Sequence, residues 1–416
     1  MKKKRLILIL IGILISCGIY FGYNKYQQHL QILKEKKEQY IAEVTSHFAT
    51  QVKVVNHAVI YENIDAEFVE IGNVGTNEII TLVETEIDEN TTHFFSDSLG
   101  YYIAYSDVTP HHQKVSYSSR HKLYIPFNQS ILAQGNIKLY NDNMELAFDI
   151  PLTEHLPIII NEEKVYGVDY QDRLLWVKKD SQHEVIDITN SELKKATRVR
   201  VLCYHRVYEK LKECKNRVIC HSLKQMRSHF KYIKDKGYLT MTMQEMYWYI
   251  HGKANMPYRS VLLTFDDGGG INHLVSLLQE YELNATAFII AKNYDEYLEN
   301  LDRTYLELHS HSYAMHTKGH CSFGKFGSAV VCKKYETVLA DLIKSKEVLG
   351  DPIAFCYPYY EYTSKTMKIV AEAGFLLAFE DNTGFTRIGS NPYKISRYTF
   401  LYDATVADLK YVLGEK

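Results

Sequence analysis

The sequence has no surplus of charge of either sign. Its 48 Lys and Arg against 50 Asp and Glu leave a net charge of -2 over 416 residues, so the basic excess that a nucleic-acid binder needs is missing. Cysteine is sparse: seven residues are too few for a disulfide-dense scaffold. Cys203 and Cys356 stand in apolar runs, where a buried thiol is the common outcome. Cys214 with Cys220, and Cys321 with Cys332, bracket two polar loops, and either pair can bridge in an oxidising compartment. Disorder is excluded by 46% hydrophobic against 24% charged residues. The length exceeds one ordinary core, which implies two or three domains. No histidine follows His320. Tyrosine, by contrast, is abundant at 34; it fits sheet faces first, and its rings also stack on sugars.

Met1 to Arg5 form a basic cluster, followed by an apolar run from Leu6 to Tyr23. At 1.5 Å per residue that run crosses a hydrocarbon layer of ~30 Å. The cationic end stays inside, so residues after Tyr23 are expected outside the cell. A cleaved signal peptide is the competing expectation, and Leu14-Ile15-Ser16-Cys17 resembles a bacterial lipoprotein cleavage box with Cys17 lipidated. Apolar residues continuing through Ile19, Tyr20 and Phe21 favour an uncleaved, single-pass anchor over residues 1–23. Residues 24–50 read as a polar stalk helix, with Leu30, Leu33, Tyr40, Ile41 and Val44 at helical spacing.

Residues 51–190 change texture to short alternating strands, such as 52–55, 78–83 and 101–105. Asn, Asp and Gly punctuate them, as in Gly72-Asn73-Val74-Gly75, which predicts small barrels or sandwiches. Two stretches within this region are weakly alike and resemble a tandem of bacterial SH3-like modules, which implies either contact with wall polymer or a spacer role. From residue 198 to 416 strands alternate with helices. Strands are expected at 199–204, 260–265, 285–290 and 353–357, and helices at 223–236, 271–281, 335–349 and 364–373. Such alternation implies parallel strands wrapped by helices, an α/β barrel with its chemistry at the C-terminal strand ends.

Thr264-Phe265-Asp266-Asp267-Gly268 puts two carboxylates at the end of an apolar strand, costly unless a cation or hydrogen bonds hold them. Successive strand residues face opposite sides, so the two Asp can take different tasks; a solvated Asp-Asp-Gly turn is the alternative. His309, His311 and His316 cluster in Leu308-His309-Ser310-His311-Ser312-Tyr313-Ala314-Met315-His316. One Asp with two His makes an open site for a divalent cation. His311 and His316 need a turn between them to face one point. His309 and His320 read as structural or exposed.

These motifs resemble the polysaccharide deacetylases of carbohydrate esterase family 4. The five-residue step from His311 to His316, with Leu202-Cys203-Tyr204-His205-Arg206-Val207 and Gly237-Tyr238-Leu239-Thr240-Met241, is similar to the branch of intercellular-adhesin deacetylases that act on poly-N-acetylglucosamine. The likeness covers residues 199–400. It implies a distorted (β/α) barrel and removal of N-acetyl groups from an extracellular amino-sugar polymer. It implies Asp267, His311 and His316 as ligands to a metal (zinc first, with cobalt, nickel or manganese as alternatives), and Asp266 as the base acting on water at that metal. In that branch the acid for the leaving amine comes from the opening strand, the position of His205; a structural histidine is the alternative. Cys356-Tyr357-Pro358-Tyr359-Tyr360 is similar to the family's Tyr-Pro-Tyr-Gly loop, which implies substrate contact through Tyr357, Pro358 and Tyr359, with Tyr360 in place of Gly. Arg397, in Ile395-Ser396-Arg397-Tyr398, corresponds to an arginine that orients the base. Gly269 and Gly270 replace bulkier residues, which implies a wider groove. The rival readings are a peptidoglycan or chitin-type deacetylase and a non-catalytic wall-polymer-binding protein.

Overall fold

The computed structural model describes residues 2–415 except 114, 116, 153, 180–182, 190–192, 215 and 403, with side chains from residue 18 onward apart from 19. The chain forms two compact units that interleave in sequence. Met1–Ser118, Ile131–Leu156 and Tyr170–Val185 make the first, and Ser119–Ser130, Pro157–Asp169 and Ile186–Lys416 the second.

The first unit begins with one continuous helix, α1 (Lys2–His47), so the chain does not break where the apolar run gives way to the polar stalk. The side chains of most of the apolar run lie outside the described residues. Among the described residues, no helix is long and apolar enough to cross a membrane. Only the last turns of α1 dock: Val44 is buried, the Tyr40 hydroxyl donates to the Thr91 carbonyl at 2.9 Å, and His47 Nδ1 donates to that of Val108 at 2.7 Å.

The rest of the unit is antiparallel. Ile79–Thr81, Gln51–Val54 and Val108–Pro110 form a three-stranded sheet. Arg173–Lys178, Asn136–Tyr140, Leu146–Pro151, Glu67–Val74, Ala58–Ile64, Tyr101–Ala104 and His93–Ser96 pair in that order. Phe148 pairs with Val74, so an early and a late strand of residues 51–190 join one ladder. Most of Gly72-Asn73-Val74-Gly75, expected as a turn, lies inside a strand. A Cβ on Gly72 would stand 2.0 Å from the Asp149 carbonyl oxygen; glycine is there because the neighbouring backbone comes so close.

The second unit is α/β. Its strands are β1 (Arg200–Tyr204), β2 (Leu239–Thr240), β3 (Ser260–Asp266), β4 (Ala285–Ile289), β5 (Leu306–Ser310), β6 (Ala354–Cys356), β7 (Leu377–Phe379) and β8 (Tyr398–Thr399). They form a curled parallel sheet in the order β7-β6-β5-β4-β3-β1-β8, with β2 beside β3. The segment at β8 links both edges, because Ile395 bridges Phe379 in parallel while Tyr398 and Thr399 pair with β1. Helices α2 (Leu223–Asp235), α3 (Met243–Ile250), α4 (Ile271–Tyr281), α5 (Tyr335–Leu349), α6 (Ser364–Glu372) and α7 (Val406–Leu413) cover it. β1 and β3 are buried at every position, as near-continuous apolar runs in a covered parallel sheet require. At the core, the Tyr204 ring stacks against Phe265 at 5.2 Å and Phe400 at 5.0 Å.

Of the two earlier segments in this unit, the first is tied in through a buried carboxylate. Glu245, 1% exposed, accepts from Arg120 Nε and Nη2, each at 2.6 Å, and from the Tyr124 hydroxyl at 2.6 Å. It also accepts the Thr242 backbone N–H at 2.8 Å, closing a capping box on α3. Ile125 and Ile160 form bridges to Asn255 and Ala254. Both bracketed loops are disulfide-linked, Cys214 to Cys220 and Cys321 to Cys332.

Candidate active site

β3 ends on Asp266, and Asp267 follows in a left-handed conformation with φ of 69°. A non-glycine residue held there is strained, a feature that gathers at functional sites. The reversal separates the two carboxylates. Asp266, 1% exposed, turns inward onto Arg397, and Asp267 turns toward the loop after β5.

Asp267 Oδ1 lies 3.5 Å from His311 Nε2 and 3.3 Å from His316 Nε2, yet it is buried and makes no hydrogen bond. Donors bound to one ion at ~2.0–2.2 Å lie about 3–3.5 Å apart, so this orphaned oxygen between two imidazoles fits a shared divalent cation. The His311 Nδ1–H donates to the Cys356 carbonyl at 2.9 Å, which leaves the Nε2 lone pair facing Asp267. The turn between the two histidines begins at Ser312 (φ 74°). Asp341, on α5, fixes it by accepting the backbone N–H groups of Tyr313 and Ala314, each at 2.9 Å. Burial and the neighbouring His311 push His316 down to about 4. Burial also acts to lower His311, but Asp267 and Asp266 outweigh it and raise it.

Arg397 is fully buried and grips Asp266 with both arms: Nη1 to Oδ1 and Nη2 to Oδ2, each at 2.8 Å. Burial alone would raise the carboxyl, but the guanidinium holds Asp266 well below the usual carboxylate range. Two buried thiols add to this shell, Cys203 Sγ at 3.7 Å and Cys356 Sγ at 3.4 Å from Asp266 Oδ2. Thr264 and Asp266 are two apart on β3, and strand alternation turns both inward; Cys203 on β1 and His205 just beyond its end keep the same spacing.

His205 is 7% exposed, and its Nε2 lies 3.1 Å from the Tyr360 hydroxyl. Its Nδ1 is buried without a partner. Burial pushes the imidazole below its ordinary value, with Asp266 and Asp267 pulling weakly the other way.

The loop after β6 differs in part from expectation. The Tyr357 ring is fully buried and its hydroxyl donates to the Tyr393 carbonyl at 3.0 Å. Its side chain therefore braces the loop instead of touching substrate, and Pro358 is buried beside it. Tyr359 is half-buried and packs on His316 at 4.6 Å and on Phe326 at 5.1 Å. Tyr359 and Tyr360 both adopt positive φ, 56° and 62°, so the loop keeps a glycine-like backbone with two tyrosines in it. Arg397, fully buried, orients Asp266 and cannot reach substrate. Gly270 does not widen a groove: a Cβ there would stand 1.8 Å from the Val207 carbonyl oxygen, and one on Gly269 would meet the Arg206 guanidinium at 3.0 Å. His309 accepts the Ala354 backbone N–H at 3.3 Å and lies in the sheet, while His320 is exposed.

Residues 253–378 match the sequence profile of the family Polysaccharide deacetylase. YxkH of Bacillus subtilis (strain 168), which carries the name of a polysaccharide deacetylase, is 24% identical over 183 residues, 42% of this chain and 63% of that protein. Among solved structures, the deacetylase PplD of Streptococcus pyogenes in complex with acetate aligns at a TM-score of 0.46 with 17% identity, covering 52% of this chain and 99% of that one. IcaB of Ammonifex degensii aligns at 0.44 with 23% identity, over 53% and 99%. Both scores are too low to carry weight for fold or function. The family match covers residues 253–378, under a third of the chain, and the chain spans less than two thirds of YxkH; over that stretch it is similar to polysaccharide deacetylases, hydrolases that act on amide bonds in polysaccharide.

Proposed function

We propose that the chain is a divalent-metal-dependent N-deacetylase that removes acetyl groups from an N-acetylglucosamine-containing polysaccharide outside the cell. The observation that carries this reading is the convergence of Asp267, His311 and His316 beside the separate carboxylate Asp266. The basic cluster and apolar run at the start of the sequence support a single-pass membrane anchor, which would hold the catalytic unit at the cell surface. The β-rich region is a candidate for contact with wall polymer.

Each residue has a definable task. Asp267, His311 and His316 would hold the cation, with zinc the default for such donors and cobalt, nickel or manganese also compatible. When bound, that cation supplies a lowered pKa for water and polarisation of the acetyl carbonyl. Arg397 keeps Asp266 ionised and fixes both of its oxygens, so the carboxylate is aimed to take a proton from the attacking water. The backbone of the loop at Tyr359 would help to bind the oxyanion that forms as the carbonyl carbon becomes tetrahedral. As the C–N bond breaks, His205 gives a proton to the leaving amine, so acetate and a free amino sugar are released. The Tyr360 hydroxyl orients the His205 ring. The stacked Tyr359 and Phe326 rings beside His316 offer an aromatic face to a sugar ring.

The test is acetate release from poly-N-acetylglucosamine, with and without chelator, for wild type and Asp266→Asn. Wild type should turn over and lose activity on chelation; Asp266→Asn, assayed at a temperature where circular dichroism shows it folded, should lose turnover while retaining metal. Unchanged turnover in Asp266→Asn removes the base from its role. Acetate released only from peptidoglycan or chitin oligosaccharides moves the substrate to those polymers, and binding without acetate release favours a non-catalytic wall binder.

A further inference from the structure

At the N-terminal ends of the strands, away from the carboxylate–histidine site, the second unit holds a cavity of about 720 Å³. It is lined by four arginines, Arg198, Arg200, Arg259 and Arg387, with the aromatic rings of Phe385 and Tyr238. Sites of this volume accept ligands of small-molecule size.

Arg200 forms the floor at 8% exposure. Its Nε donates to the Val412 carbonyl at 2.8 Å and its Nη1 to that of Gly384 at 2.7 Å. Arg259 donates to the Lys236 carbonyl at 2.9 Å. These two answer the carbonyls that α7 and α2 leave at their C-terminal ends, which is an ordinary structural task. Arg198 and Arg387 do nothing of the kind: among the described residues, neither guanidinium has a hydrogen-bond acceptor or an ion-pair partner. Arg198 instead stacks on the Phe385 ring at 4.0 Å, with Arg200 over the same ring at 3.5 Å.

Arg198 and Arg200 thus stack on one aromatic ring and Arg387 lines the same cavity, with no carboxylate in ion-pair range of Arg198 or Arg387 among the described residues. Among the described residues the one acidic group of the lining is Glu415, and it is engaged by the hydroxyls of Tyr232 and Tyr238. Burial and the adjacent Arg198 push Arg200 down to about 10. In a chain of net charge -2 the four arginines are a local concentration of positive charge, not a general bias. Planar, preorganised guanidinium forks match the paired oxygens of a phosphate.

We propose that this cavity is a binding site for a phosphate-bearing anion, with Arg198 and Arg387 as the ligand-gripping groups over an Arg200 floor. It is separate from the deacetylase site and does not depend on that reading.

The experiment is calorimetric titration of the full-length chain in buffer free of polyvalent anions. The probes are inorganic phosphate, a phosphodiester-linked glycerol-phosphate oligomer and citrate, titrated into wild type and Arg198→Ala/Arg387→Ala. Both substituted side chains are exposed and without hydrogen bonds, and circular dichroism checks the fold. A phosphate probe should bind at one per chain, and the double variant should weaken it ~10-fold or more, with acetate release unchanged. Tighter binding of the oligomer assigns a phosphate-containing polymer as the occupant, and tighter binding of inorganic phosphate assigns a small free anion. Absence of saturable phosphate binding, equal affinity in the double variant, or citrate bound as tightly as either phosphate probe overturns the proposal.

Discussion

The Asp266–Arg397 pair allows a worked test of what holds the base. Arg397→Met keeps a similar apolar length and removes two 2.8 Å charge-assisted bonds. It leaves a carboxylate that is 1% exposed with only the Cys203 and Cys356 thiols at 3.7 and 3.4 Å as donors. Removing one partner of a buried pair costs ~3–5 kcal/mol, because the other charge stays buried without compensation. With a urea slope of ~2 kcal/mol per molar, the unfolding midpoint should fall by roughly 2 M. Asp266→Asn strands Arg397 in the same way and should cost a similar amount. The double variant should cost less than the sum by ~1–3 kcal/mol, since neither charge is then left alone. Trp248 lies in the second unit and Trp176 in the first, so Trp248 fluorescence in a Trp176→Phe background reports the relevant transition. Arg397→Met within ~1 kcal/mol of wild type, or strictly additive losses, would refute the account of Asp266 as a carboxylate held ionised by Arg397.

Three further outcomes follow from the site and its surroundings. Tyr360→Phe should lower kcat by roughly tenfold with KM little changed, less than the ~10²–10⁴ attached to a general acid itself; steady-state kinetics beside His205→Asn check the order. His316→Ala should weaken cation binding by more than the ~10–100-fold typical of outer-shell partners, measured as metal per chain after dialysis against a buffered chelator. His221, with both ring nitrogens buried and unpartnered, is pushed by burial down to about 3. Below the ordinary value of ~6.5 the unfolded chain takes up a proton that the folded one refuses, so stability should decline as pH falls from there toward 3. His221→Leu should flatten that decline in pH-dependent urea titrations.

What could be read ahead of the structure was whatever chemistry is local in sequence. The strand ending in Asp266-Asp267, the histidines five apart and the helices from Ile271 and Tyr335 are short-range patterns, and a short-range pattern constrains its own backbone. Three things were not legible. The cysteines at Asp266 arrive from two strands 153 residues apart in number, and a buried cysteine reads the same whether it touches a carboxylate or a leucine. Gly270 looked like room for substrate because a glycine does not reveal what lies opposite it, here the Val207 carbonyl. Tyr360 stood where a glycine was expected, and only the folded loop shows that its backbone keeps the positive φ while its hydroxyl meets His205.

The shared Glu245 carboxylate has a practical consequence for anyone trimming this chain. A recombinant fragment starting at Val199 looks self-sufficient, since every strand of the curled sheet lies beyond that point. Such a cut discards Arg120 and Tyr124, and Glu245 would be stranded beneath an opened surface with only its helix-capping contact. A soluble fragment is better served by retaining the stretch from Ser119 onward, tolerating the intervening strands as passengers.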